Sequence, residues 1–371
     1  MTTWLSCIRP EVRSFKPYTP GRSIESVRQA YGLNRVIKLA SNENPLGASP
    51  LAQEAVNRHA ANIFRYPAAG NPDLCLALAR HHNVDPARVI VGNGSDELID
   101  LLLRVLADPS KNEVVAFAPC FGIYTTQTAL CGVPLRQTPL NEDFSFPWDR
   151  LFASVNARTS MIFVTTPDNP SGFCPPVEDL ENLARRLPAS CLLVIDEAYM
   201  DFADNESAHS ILPRLDEFPN VAVLRTFSKS RGLAGLRLGY GILPPAIADY
   251  LHRTRLPFSV NVLAEVSGLA ALQDIDFYAE TLRTVHEGRI QLRDGLERLG
   301  CHVYPSMSNF LMFGPPEGAS RSAAEICQAL LERGVIIRPL ASYGLDRLLR
   351  VSVGLKEENI CFLNCLEEVL A

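Results

Sequence analysis

The sequence predicts an α/β protein, with a large domain built on a mostly parallel sheet and a smaller α+β domain. Three observations carry this. Short apolar runs alternate with helical patterns through the middle of the chain, the order that packs helices on both faces of a parallel sheet. After about residue 255 the pattern changes to a long proline-free helical stretch followed by short strands. And 371 residues is ample for two domains. We expect residues 1–35 to form an N-terminal arm and part of the small domain, 36–255 the large domain, and 256–371 the small C-terminal domain.

The elements follow in order. Residues 89–91 (Val-Ile-Val) read as a strand, 92–95 as a glycine turn, and 96–106 as a helix with an acidic first turn. Further strands are expected at 113–117, 160–165, 191–195, 221–225 and 236–242, with a helix at 177–186 between them. Beyond residue 255, one helical stretch covers 261–298. Strands follow at 302–304, 310–313, 335–338 and 349–353, and a helix from about Lys356 closes the chain. There is no internal repeat and no low-complexity segment.

Composition narrows the function. Hydrophobic residues make up 47% and charged residues 20%, and the formal net charge is -6. That mild acidity leaves no footprint for nucleic acid or an anionic membrane surface. No apolar run is long enough to cross a membrane, and the charged start (Arg9, Glu11, Arg13, Lys16) does not read as a signal peptide. Ten cysteines form no CxxC pair, so no metal site is expected. They read as small core residues of a protein in the reducing cytoplasm.

Four features could carry chemistry. Asp196 ends the apolar run 191–195, and ligands of open parallel sheets sit at the carboxyl ends of strands. It could equally cap a helix or face water. Lys229, in Thr226-Phe-Ser-Lys229, follows the next strand, where burial and cationic neighbours would suit a Schiff-base lysine. A solvated lysine is the alternative. Arg237 lies inside Gly232-Leu-Ala-Gly-Leu-Arg-Leu-Gly-Tyr240, and a buried arginine needs an anion, either a ligand phosphate or a structural carboxylate. The turn Gly92-Asn-Gly-Ser-Asp-Glu97 opens a helix whose free N–H groups suit phosphate, or is an ordinary capped turn. It is neither GxGxxG nor a P-loop.

Taken together, Asp196-Glu-Ala-Tyr199, Thr226-Phe-Ser-Lys229 and Gly235-Leu-Arg-Leu-Gly-Tyr240 resemble the fold-type I pyridoxal 5'-phosphate (PLP) aminotransferases, with Asp168-Asn-Pro-Ser-Gly172 as the asparagine-proline turn. Lys38-Leu-Ala-Ser-Asn-Glu-Asn-Pro-Leu-Gly47, Arg65-Tyr-Pro67, Gly334-Val-Ile-Ile-Arg338 and Leu349-Arg-Val-Ser-Val-Gly354 resemble the histidinol-phosphate aminotransferase family in particular. The resemblance implies transamination between histidinol phosphate and 2-oxoglutarate in histidine biosynthesis, on a homodimer with shared sites. It also implies roles. Lys229 attaches the cofactor and shuttles the proton. Asp196 pairs with the pyridine nitrogen. Tyr199 and Asn169 bond the ring's phenolic oxygen, and Phe121 stacks on the ring. Ser95, Asp96, Thr226, Ser228 and Arg237 surround the cofactor phosphate, and Tyr66 reaches it from the partner subunit. Arg350 takes a substrate carboxylate, Arg338 and Tyr18 the substrate phosphate, and Asn44 is counted with the substrate-binding residues. Two departures stand out: Thr166-Pro-Asp-Asn169 at the turn, and Ser230-Arg231 after the lysine. Alternatives on the same scaffold are an aromatic aminotransferase, a threonine-phosphate decarboxylase, or a PLP-fold protein without catalysis.

Overall fold

The structure, a computed structural model, describes residues 3–13, 15 and 22–371. Among these the strands are β1 (Ile37–Lys38), β2 (Val89–Asn93), β3 (Glu113–Ala118), β4 (Leu135–Pro139), β5 (Thr159–Thr165), β6 (Leu192–Asp196), β7 (Val221–Thr226), β8 (Leu238–Ile242), β9 (His302–Val303), β10 (Phe310–Gly314), β11 (Val335–Ile336), β12 (Arg338–Pro339) and β13 (Leu349–Ser352).

The large sheet runs β2-β8-β7-β6-β5-β3-β4. Its β4-β3-β5-β6-β7 stretch is parallel, and β8 lies antiparallel between β7 and β2. The period of two along each strand assigns its two faces. Ile162, Val164, Leu193 and Ile195 point into one core with the helices Pro72–His82 and Val177–Arg186. Met161, Phe163, Leu192 and Val194 point into another with Ser95–Leu106 and Pro245–Thr254. Every residue of β5 and β6 is buried, which is why those strands read as unbroken apolar runs.

The smaller unit is the antiparallel sheet β12-β13-β10-β9, with the helices Ile275–Arg298, Ala323–Glu332 and Lys356–Leu370 packed around it. Two elements sit across the expected boundaries. Ile37 and Lys38 were expected in the large domain but pair in parallel with Val335 and Ile336, and Ile37 and Leu39 bury in the small-unit core. The helix Val262–Gln273 was expected in the small domain. Its Ala264 and Ala271 instead belong to the large core, and Gly268 packs against Leu74 and Leu238.

Two expected elements are divided. The stretch 261–298 breaks at Asp274, whose Oδ1 accepts from the Phe277 N–H to cap the second helix. Its Oδ2 accepts from the Ser49 hydroxyl at 2.5 Å. The expected strand 335–338 changes partner at Ile337: β11 pairs with β1, and β12 with β13. No helix among the described residues is long and apolar enough to cross a membrane.

Candidate active site

The carboxyl ends of β5, β6 and β7 open on a cavity of about 160 Å3. Lys229 reaches it from the loop after β7. Thr226 Oγ1 starts that loop by accepting from the Ser228 N–H at 3.1 Å. Gly232 ends it at φ 70, where a Cβ would stand 2.0 Å from the Gly47 carbonyl oxygen, so only glycine lets the two segments touch. The Lys229 ammonium faces the Ser41 carbonyl at 3.5 Å and stands 5.6 Å from the centre of the Tyr199 ring. Burial above all, with Arg350 and Arg237 beside it and Glu43 and Asp96 opposing, lowers its pKa to about 8.

Asp196 ends β6 and is 2% exposed. Its Oδ2 accepts from the Tyr124 hydroxyl at 2.8 Å and its Oδ1 from the Ala198 N–H at 3.2 Å. Burial raises its carboxyl to about 6, against the lowering effect of the Tyr124 bond. Tyr124 is itself buried, stacked on Phe163 at 4.5 Å, with its hydroxyl also 2.8 Å from Thr165 Oγ1.

Opposite Asp196, the helix Ser95–Leu106 begins with Gly94 at φ 76 and aims its first N–H groups at the cavity. Gly239 of β8 passes beneath this helix start. A Cβ there would lie 2.3 Å from the Ser95 nitrogen, so the close approach requires glycine. Arg237, expected to be buried, is half-exposed, because its left-handed backbone (φ 55) turns the side chain toward the cavity mouth. There its Nη2 pairs with Asp96 Oδ2 at 3.2 Å. Burial raises the Asp96 carboxyl, and Arg237 opposes that.

Phe121, Asn169, Tyr199, Thr226 and Ser228 complete the lining. Tyr199 accepts at its hydroxyl from Asn42 Nδ2 at 3.0 Å. Asn169 Oδ1 accepts from Arg350, which also donates to the Ala40 carbonyl at 3.3 Å and leaves its buried Nε without a partner. Arg338 stands directly opposite Arg350 on the β12–β13 ladder.

Two expected residues stand elsewhere. Asn44 was counted with the substrate-binding residues, but its amide donates to the Lys229 and Ser230 carbonyls at 3.2 and 3.0 Å and to Thr281 Oγ1 at 3.2 Å. With both amide hydrogens turned to protein, it holds the lysine loop rather than offering them to the cleft. Tyr66 is 81% exposed and stacked on Phe258, away from its own chain's cavity. Tyr18 lies outside the described residues. Sequence reasoning missed Tyr124, Thr165 and Asn42. Tyr124 sits three residues past Phe121 on the same helix face, a spacing that could have found it.

The residues fit PLP on the chemistry of their donors. A helix N-terminus, Ser228 and Arg237 suit a phosphate at one end, and a buried carboxylate suits a protonated ring nitrogen at the other. An aromatic wall and a lysine of lowered pKa lie between. A larger groove of about 530 Å3, between the 172–174 segment and the helix Ile275–Arg298, contains none of these groups.

The chain matches the model of the aminotransferase class I and II family over residues 34–362. It is 58% identical over 366 residues to a histidinol-phosphate aminotransferase of Oleidesulfovibrio alaskensis, covering 99% of this chain and 96% of that one. It is 60% identical over 363 residues to that of Nitratidesulfovibrio vulgaris, covering 98% and 96%. Its structure is similar to that of histidinol-phosphate aminotransferase from Sinorhizobium meliloti in complex with pyridoxal-5'-phosphate, with a TM-score of 0.88, 28% identity and 98% coverage of both chains.

Proposed function

Because the chain belongs to the aminotransferase class I and II family, we propose that it is a PLP enzyme that exchanges the amino group between histidinol phosphate and 2-oxoglutarate in histidine biosynthesis. In the biosynthetic direction glutamate aminates imidazole acetol phosphate. The observation that carries the reading is the meeting of Lys229 and Asp196, from two separate strand ends, in one cavity whose far end is a helix N-terminus.

Bound there, PLP supplies an electron sink for negative charge developing beside the amine carbon. The chain's residues do the rest. Asp196, ionised against a cationic partner, holds the proton on the ring nitrogen. Its oxygens are aimed by Tyr124 and the Ala198 N–H. Lys229 would hold the cofactor at Nζ and move the proton at the substrate's amine carbon. Its lowered pKa keeps a useful neutral fraction near neutral pH. Ser95, Asp96 through its backbone, Thr226, Ser228 and Arg237 would hold the phosphate, Phe121 would cover the ring, and Tyr199 and Asn169 would bond its phenolic oxygen. Arg338 and Arg350 bind the anionic ends of the two substrates. Exposed Tyr66 fits a cytoplasmic homodimer in which each chain completes its partner's site.

Borohydride reduction of the holoenzyme followed by peptide mapping tests the attachment. The label is expected on Lys229, and a label on another lysine removes the reading. A panel of histidinol phosphate, phenylalanine and threonine phosphate with 2-oxoglutarate tests the substrate. Preference for phenylalanine would make the enzyme an aromatic aminotransferase, and release of carbon dioxide from threonine phosphate a decarboxylase.

A further inference from the structure

Behind the Lys229 loop lies a second, polar cavity of about 230 Å3 that the proposed reaction does not use. At its wall Arg225 of β7 is 4% exposed. Its Nε and Nη2 donate to Glu197 Oε2 at 2.9 and 2.5 Å, its Nη1 to Asp201 Oδ1 at 3.1 Å, and its Nη2 to Glu206 Oε1 at 2.7 Å. Glu197 follows Asp196 directly, and its carboxylate is further fixed by the Ser210 hydroxyl at 2.9 Å. The other oxygen of Asp201 accepts from the Ser230 hydroxyl, and Ser230 follows Lys229 directly. The chain neighbours of the two residues assigned to the chemistry thus converge on a single guanidinium.

Stability alone does not account for this arrangement. Buried ion pairs return little net stability once desolvation is counted, and apolar replacements often match them. A guanidinium shared by three carboxylates is a poor way to fill a core. It is a good way to fix the relative position of two strand ends, because the bonds are short and directional and the Arg225–Glu197 pair at their centre is buried.

We propose that Arg225 is a positioning residue: through Glu197, and through Asp201 and Ser230, it holds the Asp196 strand end and the Lys229 loop in one fixed relation. Arg225 touches neither substrate nor cofactor. The inference rests on the roles given above to Lys229 and Asp196.

Ser230→Ala tests it with the least disturbance, since it deletes one fully buried hydroxyl and leaves the Arg225–Glu197 pair intact. In the holoenzyme the variant should lose about tenfold in kcat, the worth of one hydrogen bond. The KM for histidinol phosphate should stay the same. The pH midpoint of the visible absorption band should move, reporting a displaced Lys229, while the melting temperature stays within a few degrees of wild type. Asp201→Asn, which keeps an acceptor for Ser230 but drops the charge shared with Arg225, should shift the midpoint in the same direction by less. An unchanged midpoint and kcat in Ser230→Ala overturns the proposal. So does a fall in melting temperature with spectra and kcat unchanged, which would make the network purely structural. Failure of the underlying reading looks different: borohydride would then label a lysine other than Lys229 in the wild-type enzyme itself.

Discussion

Arg338 and Arg350 are direct cross-strand partners on β12 and β13, two guanidinium groups set on one face of a sheet. Like charges opposed in this way are destabilising. Neither forms a salt bridge among the described residues: Arg350 donates only to the Asn169 side chain and the Ala40 carbonyl, with its Nε left over. Two such cations, one of them bonded to the cavity-lining Asn169, fit the anion-binding role proposed above, because the planar fork of arginine donates to carboxylate or phosphate alike.

The two arginines should therefore separate by substrate. Buried Arg350, linked to the cofactor cavity through Asn169, should serve the carboxylate, so Arg350→Ala should raise the KM for glutamate by about 2–5 kcal/mol in binding. Half-buried Arg338 should serve the phosphate. Arg338→Ala should weaken histidinol phosphate about 10- to 100-fold and leave phenylalanine nearly unchanged. Steady-state kinetics on the three substrates decides this. An Arg338→Ala enzyme that still saturates normally with histidinol phosphate removes the phosphate role.

Asp196 links stability to chemistry in opposite senses. In the cofactor-free chain its carboxyl stands at about 6 instead of 3.8 because of burial. Between those pH values the folded chain keeps a proton that the unfolded chain has lost. This contribution to stability is whole below about pH 4 and is lost as pH rises through 6. Asp196→Asn removes the dependence. The cofactor-free variant should be more stable than wild type above pH 6, by about 2–3 kcal/mol, and equal to it near pH 4. With cofactor and substrate the same variant should lose several orders of magnitude in kcat. Denaturant titrations at pH 4 and 8 check the first statement, and a turnover assay the second.

Tyr124→Phe isolates the hydroxyl that aims Asp196. The ring and its stacking on Phe163 remain, while Asp196 Oδ2 loses its 2.8 Å donor. That bond lowers the Asp196 carboxyl, so its loss should carry the group further upward. We expect kcat to fall about tenfold, by roughly 1–1.5 kcal/mol, with KM unchanged and the acid arm of activity displaced to higher pH. A variant with wild-type kcat across the pH range would make Tyr124 a packing residue only.

Six of the seven strands of the large sheet were legible because burial on both faces makes them apolar runs, whereas the edge strand β4, exposed at Arg136 and Gln137, carries no such run. Asp196, which ends one of these runs, is the clearest case, and Lys229 follows from the next strand in the same way. Arg338 and Arg350 were legible as residues, but their pairing was not, since it depends on a strand that changes partner at Ile337. The same limit hid the bonds that Tyr124 and Asn44 make. Each acts through a bond to a residue 72 or 185 positions away, and no local pattern reports such a contact. Asp274 escaped because Asn261 to Arg298 contains no proline or glycine pair to announce a break. The break is made by a side-chain cap and a bond back to Ser49.

Tyr66 supplies the last prediction. It is exposed in its own chain, stacked on Phe258 at 4.7 Å and flanked by exposed Ile63, Phe64 and Leu256. An apolar patch of this kind on a folded surface marks an interface, and a second copy of the chain can occupy it in a closed two-fold pair. If each cavity takes Tyr66 from the partner, two impaired variants should complement each other. Co-expressed Tyr66→Phe and Lys229→Ala chains form hybrids in which one site has both wild-type residues and the other has neither. With random pairing about half the dimers are hybrid, so about a quarter of all sites are restored. The mixture should exceed the mean of the two parent activities by about a quarter of wild-type activity, reduced in proportion to whatever activity Tyr66→Phe retains. Activity equal to the mean would show that each chain builds its site alone, and that Tyr66 belongs to the surface on which it stands.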